Sequence, residues 1–330
     1  MIVYEAGTAP AVRPGEAVLA GRRIAGRLLP YGAEGAAAVC FDPVDRRFVF
    51  PKPEPTIRAG PFRTTPWREA LFRVPAGPVL VGPSSSAETV WGAARAAAEA
   101  AIEAGRPVYL LDPEPAALPS GARGAVVVLC SWRPGRAGMA FPGLERAREA
   151  GLVCAALFPL LPGWTAEDEA IEALAAAAEG GGAASLTPLV PCGDGEGRRA
   201  IVEARASIEP EAANRFFEAI HHGDWPERLD GRVAAARAAA ARRGLALLPP
   251  RPAGRGEPPG NAAAAARLEE RAELLDAGEH RAALLHAAVR WIDESGRDLS
   301  AVAREGNFSR IFPFAGEIGE AASAALLGEP

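Results

Sequence analysis

Three short polar stretches, each placed directly after an apolar run, hold the residues best suited to chemistry. SSSAE (84–88) follows GPVLVG, PLLPGWTAED (159–168) ends the run begun by LVCAALF, and PCGDGEGRR (191–199) follows ASLTPLV. In the last, small residues let backbone N–H groups approach a phosphate, and Arg198 and Arg199 add charge. Asp194 and Glu196 oppose an anion there and no GK[ST] follows, so a plain strand-to-helix loop is the favoured reading. Ser85–Glu88 and Thr165–Asp168 both have the [ST]-x-x-[DE] spacing of a capping box, which satisfies free N–H groups at a helix start. The Pro162–Gly163 turn either faces a ligand or only joins a strand to a helix.

The remaining candidates are weaker. Cys40, Cys130, Cys154 and Cys192 show no CxxC or CxxxC spacing, so no local metal or cluster motif exists. Cys130 and Cys154 lie in apolar runs and read as reduced core residues. His221 and His222 are adjacent, and adjacent side chains on a helix point apart; a metal pair is disfavoured. His280 and His286 are six apart, off the i,i+3 and i,i+4 spacings that share a face. Arg133 and Arg136, in SWRPGRAG, offer an anion contact at a strand end, with solvated arginine as the favoured alternative.

The elements that carry these stretches alternate. GPVLVG (77–82), RPVYLLD (106–112), GAVVVLCSW (124–132), LVCAALFPL (152–160) and ASLTPLVP (184–191) read as strands. Helices are expected over 84–105, 141–151 and 165–179, with another beginning in 195–205. Such βα alternation predicts a parallel sheet, and apolar runs without polar alternation predict cover on both faces. AAAVCF (36–41) and GLALLPP (244–250) are candidates for an early and a late strand, giving six or seven, which suits a partial or full barrel or an open doubly wound sheet. FDPVDRRFVF (41–50) suggests a hairpin, PKPEPTIRAGP (51–61) a proline-rich connector, and RPAGRGEPPGN a mobile linker. Residues 261–296 read as two helices broken near Gly278, and Phe308, Phe312 and Phe314 should pin the tail to a surface.

A net charge of −5 supplies no basic face, so nucleic acid is not an expected partner. No apolar run is long enough to span a bilayer, and MIVYEAGTAPAVRPGE lacks a basic then apolar leader. A soluble cytoplasmic protein is therefore expected.

Residues 152–191, with their P-L-L-P-G-W-T turn, resemble the second half of the radical S-adenosylmethionine barrel, in the branch related to spore photoproduct lyase. GPVLVGPSSSAETVW is similar to that family's second strand and polar loop; the resemblance covers roughly residues 75–220. It implies an α/β fold, a partial (β/α)6-type TIM-like barrel with a small N-terminal β extension and a helical C-terminal region. The implied divisions are 1–74 (extension and first barrel strand), 75–250 (barrel core) and 251–330 (linker and helical appendage). By the same resemblance Leu160, Leu161 and Gly163 lie where the family packs adenine. Ser84, Ser85, Ser86 and Glu88 lie near the methionine moiety, and Leu189 and Pro191 border the ribose. For Glu88, capping is the favoured role.

The family's chemistry needs three thiolates in a CxxxCxxC loop after the first strand. DPVDRRFVFPKPEP, which follows AAAVCF, has no cysteine. No iron–sulfur cluster and no metal are expected, and a bound S-adenosylmethionine would lack its anchoring iron. The expectation is a non-catalytic structural or regulatory subunit, pairing with an active radical S-adenosylmethionine relative. The alternative is an enzyme or sensor that keeps a pocket for an adenosyl or phosphate-bearing ligand at the strand C-termini.

Overall fold

The computed structural model describes residues 17–19, 22–24, 27–29, 40–42, 47–49, 56–58, 78–81, 88–111, 124–135, 138–141, 143–189, 218, 225–254, 256–273 and 280–328. The chain is an α/β protein built on a parallel sheet. Its strands are β3 (Arg27–Leu29), β6 (Thr56–Arg58), β7 (Val79–Val81), β8 (Val108–Leu111), β9 (Val126–Ser131), β12 (Val153–Pro159) and β13 (Ser185–Leu189). The spatial order is β6-β3-β7-β8-β9-β12-β13, and every neighbouring pair is parallel. From β7 to β13 the order follows the sequence. Among the described residues, β6 and β13 are not paired with each other.

Apolar runs form these strands because both faces are covered. All four residues of β8 are buried, and neighbouring side chains on a strand point to opposite faces. Helices α1 (Glu88–Glu103), α2 (Leu144–Glu149), α3 (Asp168–Gly180) and α4 (Trp225–Arg242) supply cover. In α3 the buried residues are Ala170, Ile171, Leu174, Ala175 and Ala178, a helical stripe. Helix α4 lies against α3 through Arg232–Asp168 at 2.7 Å, Arg243–Glu179 at 2.7 Å and Arg242–Glu172. These pairs are half-exposed, so they orient the helices more than they stabilise them. Pro188 sits in β13, at the end of the order, where a missing N–H is tolerated.

Several boundaries differ from expectation. Residues 40–42 do not join the parallel sheet. They form β4 (Cys40–Asp42), antiparallel to β5 (Arg47–Val49), the expected hairpin. The first parallel strand is instead β3, and β6 comes from the segment read as a connector. A further hairpin pairs β1 (Ala17–Leu19) with β2 (Arg22–Ile24). After β9 the chain makes the hairpin of β10 (Arg133–Gly135) and β11 (Gly138–Ala140). The late strand reduces to one parallel bridge, Ala246 to Ser185, reinforced by Thr187 Oγ1 donating to Leu247 O at 2.6 Å.

The C-terminal region is helical: α5 (Pro259–Glu273), α6 (His280–Glu294), α7 (Leu299–Arg304), α8 (Phe308–Ile311) and α9 (Gly316–Leu327). It has a core of its own, including Leu268, Leu285, Val289, Ile292, Phe308 and Phe312. The phenylalanine tail is pinned, as expected, and the surface it meets is Trp291 of α6. Phe308 and Phe312 stack at 4.7 Å, and Trp291 meets Phe312 edge-on at 5.2 Å. The Asn261 amide ties α5 to α7, donating to Arg297 O and accepting from Leu299 N.

The connector expected to be mobile is anchored. Ala253 N donates to Gly124 O at 2.8 Å, and Gly254 lies against Gly105 and Pro107. Those residues precede β9 and β8, so the connector runs under the amino ends of the strands. Arg251 there donates to Glu269 of α5 at 2.8 Å and to Asp293 of α6. Its side chain is 2% exposed, that of Glu269 1% and that of Asp293 10%. Tyr109 of β8 lies within electrostatic reach of the guanidinium. This buried cluster joins sheet and helices. Among the described residues, no helix is long and apolar enough to cross a membrane.

Candidate functional site

The carboxyl ends of the parallel strands form the edge where α/β folds place ligands. Two of the expected site segments end there side by side: Leu160 N donates to Leu189 O at 2.8 Å, joining the ends of β12 and β13. Leu160, Leu161 and Leu189 are buried in the main apolar core. Gly163 is exposed, with φ +67°, the left-handed conformation for which glycine is suited. Glu88 is the first described residue of α1; Ser84, Ser85, Ser86 and Pro191 lie outside the described residues. So do His221, His222, Cys192 and the segment 191–199.

The Pro162–Gly163 turn is closed by its own groups. Leu161 O accepts from the N–H groups of Trp164, Thr165 and Ala166, each at 3.1 Å. Gly163 N donates to Glu167 Oε1 at 2.8 Å. Thr165 Oγ1 accepts from Leu161 N at 2.9 Å and donates to Pro159 O. The turn therefore has its N–H donors occupied and offers no ready nest for an anion. This corrects the expected capping box. Helix α3 begins at Asp168, its N-cap is Glu167, and no side chain among the described residues caps it. Asp168 pairs with Arg232, while Thr165, fully buried, staples the loop. Thr165→Val should cost about 1–3 kcal/mol, because the buried Leu161 N–H and the part-buried Pro159 carbonyl lose their partner. Urea unfolding measures it, and an effect near zero would mean the loop relaxes without strain.

Sequence reasoning missed two aromatic residues at this edge. Trp132 directly follows β9, its backbone N–H bonded to Leu157 O at 2.7 Å. Trp164, in the turn after β12, stands perpendicular to it with ring centroids 4.8 Å apart. Trp132 is buried, and its indole N–H has no hydrogen-bond acceptor among the described residues. The signal was present: tryptophan closes both SW and PGW after adjacent strands.

Cys130 and Cys154 are buried, as expected, and form no disulfide among the described residues. Burial pushes the Cys154 thiol up to about 11, which keeps it protonated at neutral pH. His280 opens α6 and His286 is buried within it. Among the described residues, no group of three or more His, Cys, Asp or Glu is arranged to hold a metal ion. No family model, curated protein or solved structure matches the chain.

Proposed function

We propose that the chain is a partial βα barrel related to the radical S-adenosylmethionine fold and that it acts as a non-catalytic structural or regulatory subunit. The observation that carries the reading is the strand order: β7, β8, β9, β12 and β13 lie side by side in sequence order and all parallel, the winding a partial barrel requires. The sequence adds that no CxxxCxxC spacing exists, so three local thiolates are not available to hold a cluster. Pairing with an active relative would let this chain supply surface while the relative supplies chemistry. The test is anaerobic purification from the native host, followed by iron and sulfide analysis and identification of co-purifying chains. A cluster-free protein in stable complex with a cluster-bearing one is the expected result. Stoichiometric iron and sulfide, or a strictly solitary monomer, would sink the proposal.

A second reading keeps a small-molecule pocket at the same edge, for an adenosyl or phosphate-bearing ligand. Trp132 favours it: a buried indole N–H without an acceptor among the described residues is a donor that a ligand oxygen or nitrogen would satisfy. The occupied donors of the 161–166 turn argue against a phosphate held there. Calorimetry with S-adenosylmethionine, S-adenosylhomocysteine and nucleotides separates the readings. Heat with the adenosyl compounds, lost in Trp132→Phe, supports the pocket; no heat at millimolar ligand removes it.

A further inference from the structure

The geometry points to a proton-coupled clamp: in mild acid, docking of the C-terminal helices beneath the amino ends of the strands takes up a proton, held at Asp293 among Arg251, Glu269, Arg106 and Glu257. The clamp lies at the opposite end of the sheet from the edge described above and does not depend on the function proposed there.

Charge balance sets the problem. Arg251, on the connector, donates to both Glu269 of α5 and Asp293 of α6. Arg106, just before β8, acts on Asp293 across the interface, and Glu257 of the connector acts on it with the opposite sign. Tyr109 of β8 faces Arg251. Among the described residues named in these contacts, two guanidiniums, Arg251 and Arg106, stand against three carboxyls, Glu257, Glu269 and Asp293. Guanidiniums do not deprotonate in proteins. A buried cluster with one excess negative charge is costly, and one proton balances it.

Asp293 is the group placed to take that proton. Burial raises its pKa to about 6, and Glu269 and Glu257 push the same way, against the pull of Arg251. Released from the cluster, it returns to the ordinary carboxyl range near 4. The docked chain therefore binds the proton more tightly than the undocked one. The resulting stabilisation is fully present below about pH 4 and is lost as pH rises through about 6. The clamp tightens on mild acidification, opposite to an ordinary salt bridge.

The test is urea unfolding of the full chain between pH 4.5 and 7.5, for the wild type and Asp293→Asn. Asparagine keeps an acceptor for Arg251 and leaves a balanced cluster. The folding constant of the wild type, divided by that of the variant, should rise as pH falls, approaching about tenfold per pH unit where one proton is linked. A ratio independent of pH, or one that falls on acidification, overturns the clamp, since Asp293 then stays an ordinary carboxylate. If Asp293→Asn does not fold, infrared spectra of the folded wild type decide. At pH 5 a protonated carboxyl stretch that disappears by pH 7.5 supports the proposal, and its absence overturns it.

Discussion

Replacing Arg251 by leucine should lower the stability of the chain by about 3–5 kcal/mol at pH 7.5, because it leaves two buried carboxylates facing each other without their shared cation. The loss should shrink at pH 5, where protonation removes the repulsion. Arg251→Lys should restore only part of it. A guanidinium reaches Glu269 through one terminal nitrogen and Asp293 through the other, and an ammonium cannot span both in that geometry. The triple variant Arg251→Met, Glu269→Leu, Asp293→Leu removes the charges rather than orphaning them and should cost far less than Arg251→Leu alone. Chemical unfolding of these variants measures each point. An Arg251→Leu protein as stable as the wild type would show that the cluster carries no interface.

Gly254→Ala is the second large effect, and it acts by shape alone. A Cβ at this position would lie 2.4 Å from Gly105 O and 3.2 Å from Pro107 Cδ. Neither neighbour is a flexible side-chain end, so the connector must retreat from the strand ends. The bond from Ala253 N to Gly124 O and the seat of Arg251 move with it. Overpacking of this kind costs about 1–3 kcal/mol and sometimes more. The contrast is Gly163→Ala, where a Cβ meets nothing within 4 Å and only the left-handed backbone is penalised, by about 1–2 kcal/mol. Thermal unfolding should therefore place Gly254→Ala at or below Gly163→Ala; the reverse order would mean that the connector is loosely seated.

The parallel sheet was legible because burial on both faces forces unbroken apolar runs. RPVYLLD, GAVVVLCSW and LVCAALFPL could satisfy themselves in few other ways, and each became a strand within two or three residues of its expected bounds. AAAVCF was misplaced since a short apolar run does not say whether its partner is parallel or antiparallel; a hairpin with RFV was as compatible with the residues. The role of Thr165 was illegible for a related reason. A hydroxyl three residues before an acidic residue has the same spacing whether it caps a helix or closes the loop before it, and only the backbone path to Pro159 O decides. The cluster around Arg251 was hidden by distance along the chain. Its members stand in a proline-rich connector, in LEERAE and in WIDE, each of which alone reads as solvated charge. Trp132 and Trp164 were visible as letters, but their meeting depends on β9 and β12 being neighbours.

The seat of the connector bears on how the chain can be divided. Gly105, Pro107, Tyr109 and Gly124 meet residues 251–254, and the guanidinium rooted there needs carboxylates from α5 and α6. A fragment ending at Pro250 would keep every strand of the sheet yet expose its underside. The smallest autonomous folding unit therefore includes the helices, and an expression boundary drawn at the prolines would yield aggregates rather than a folded α/β sheet.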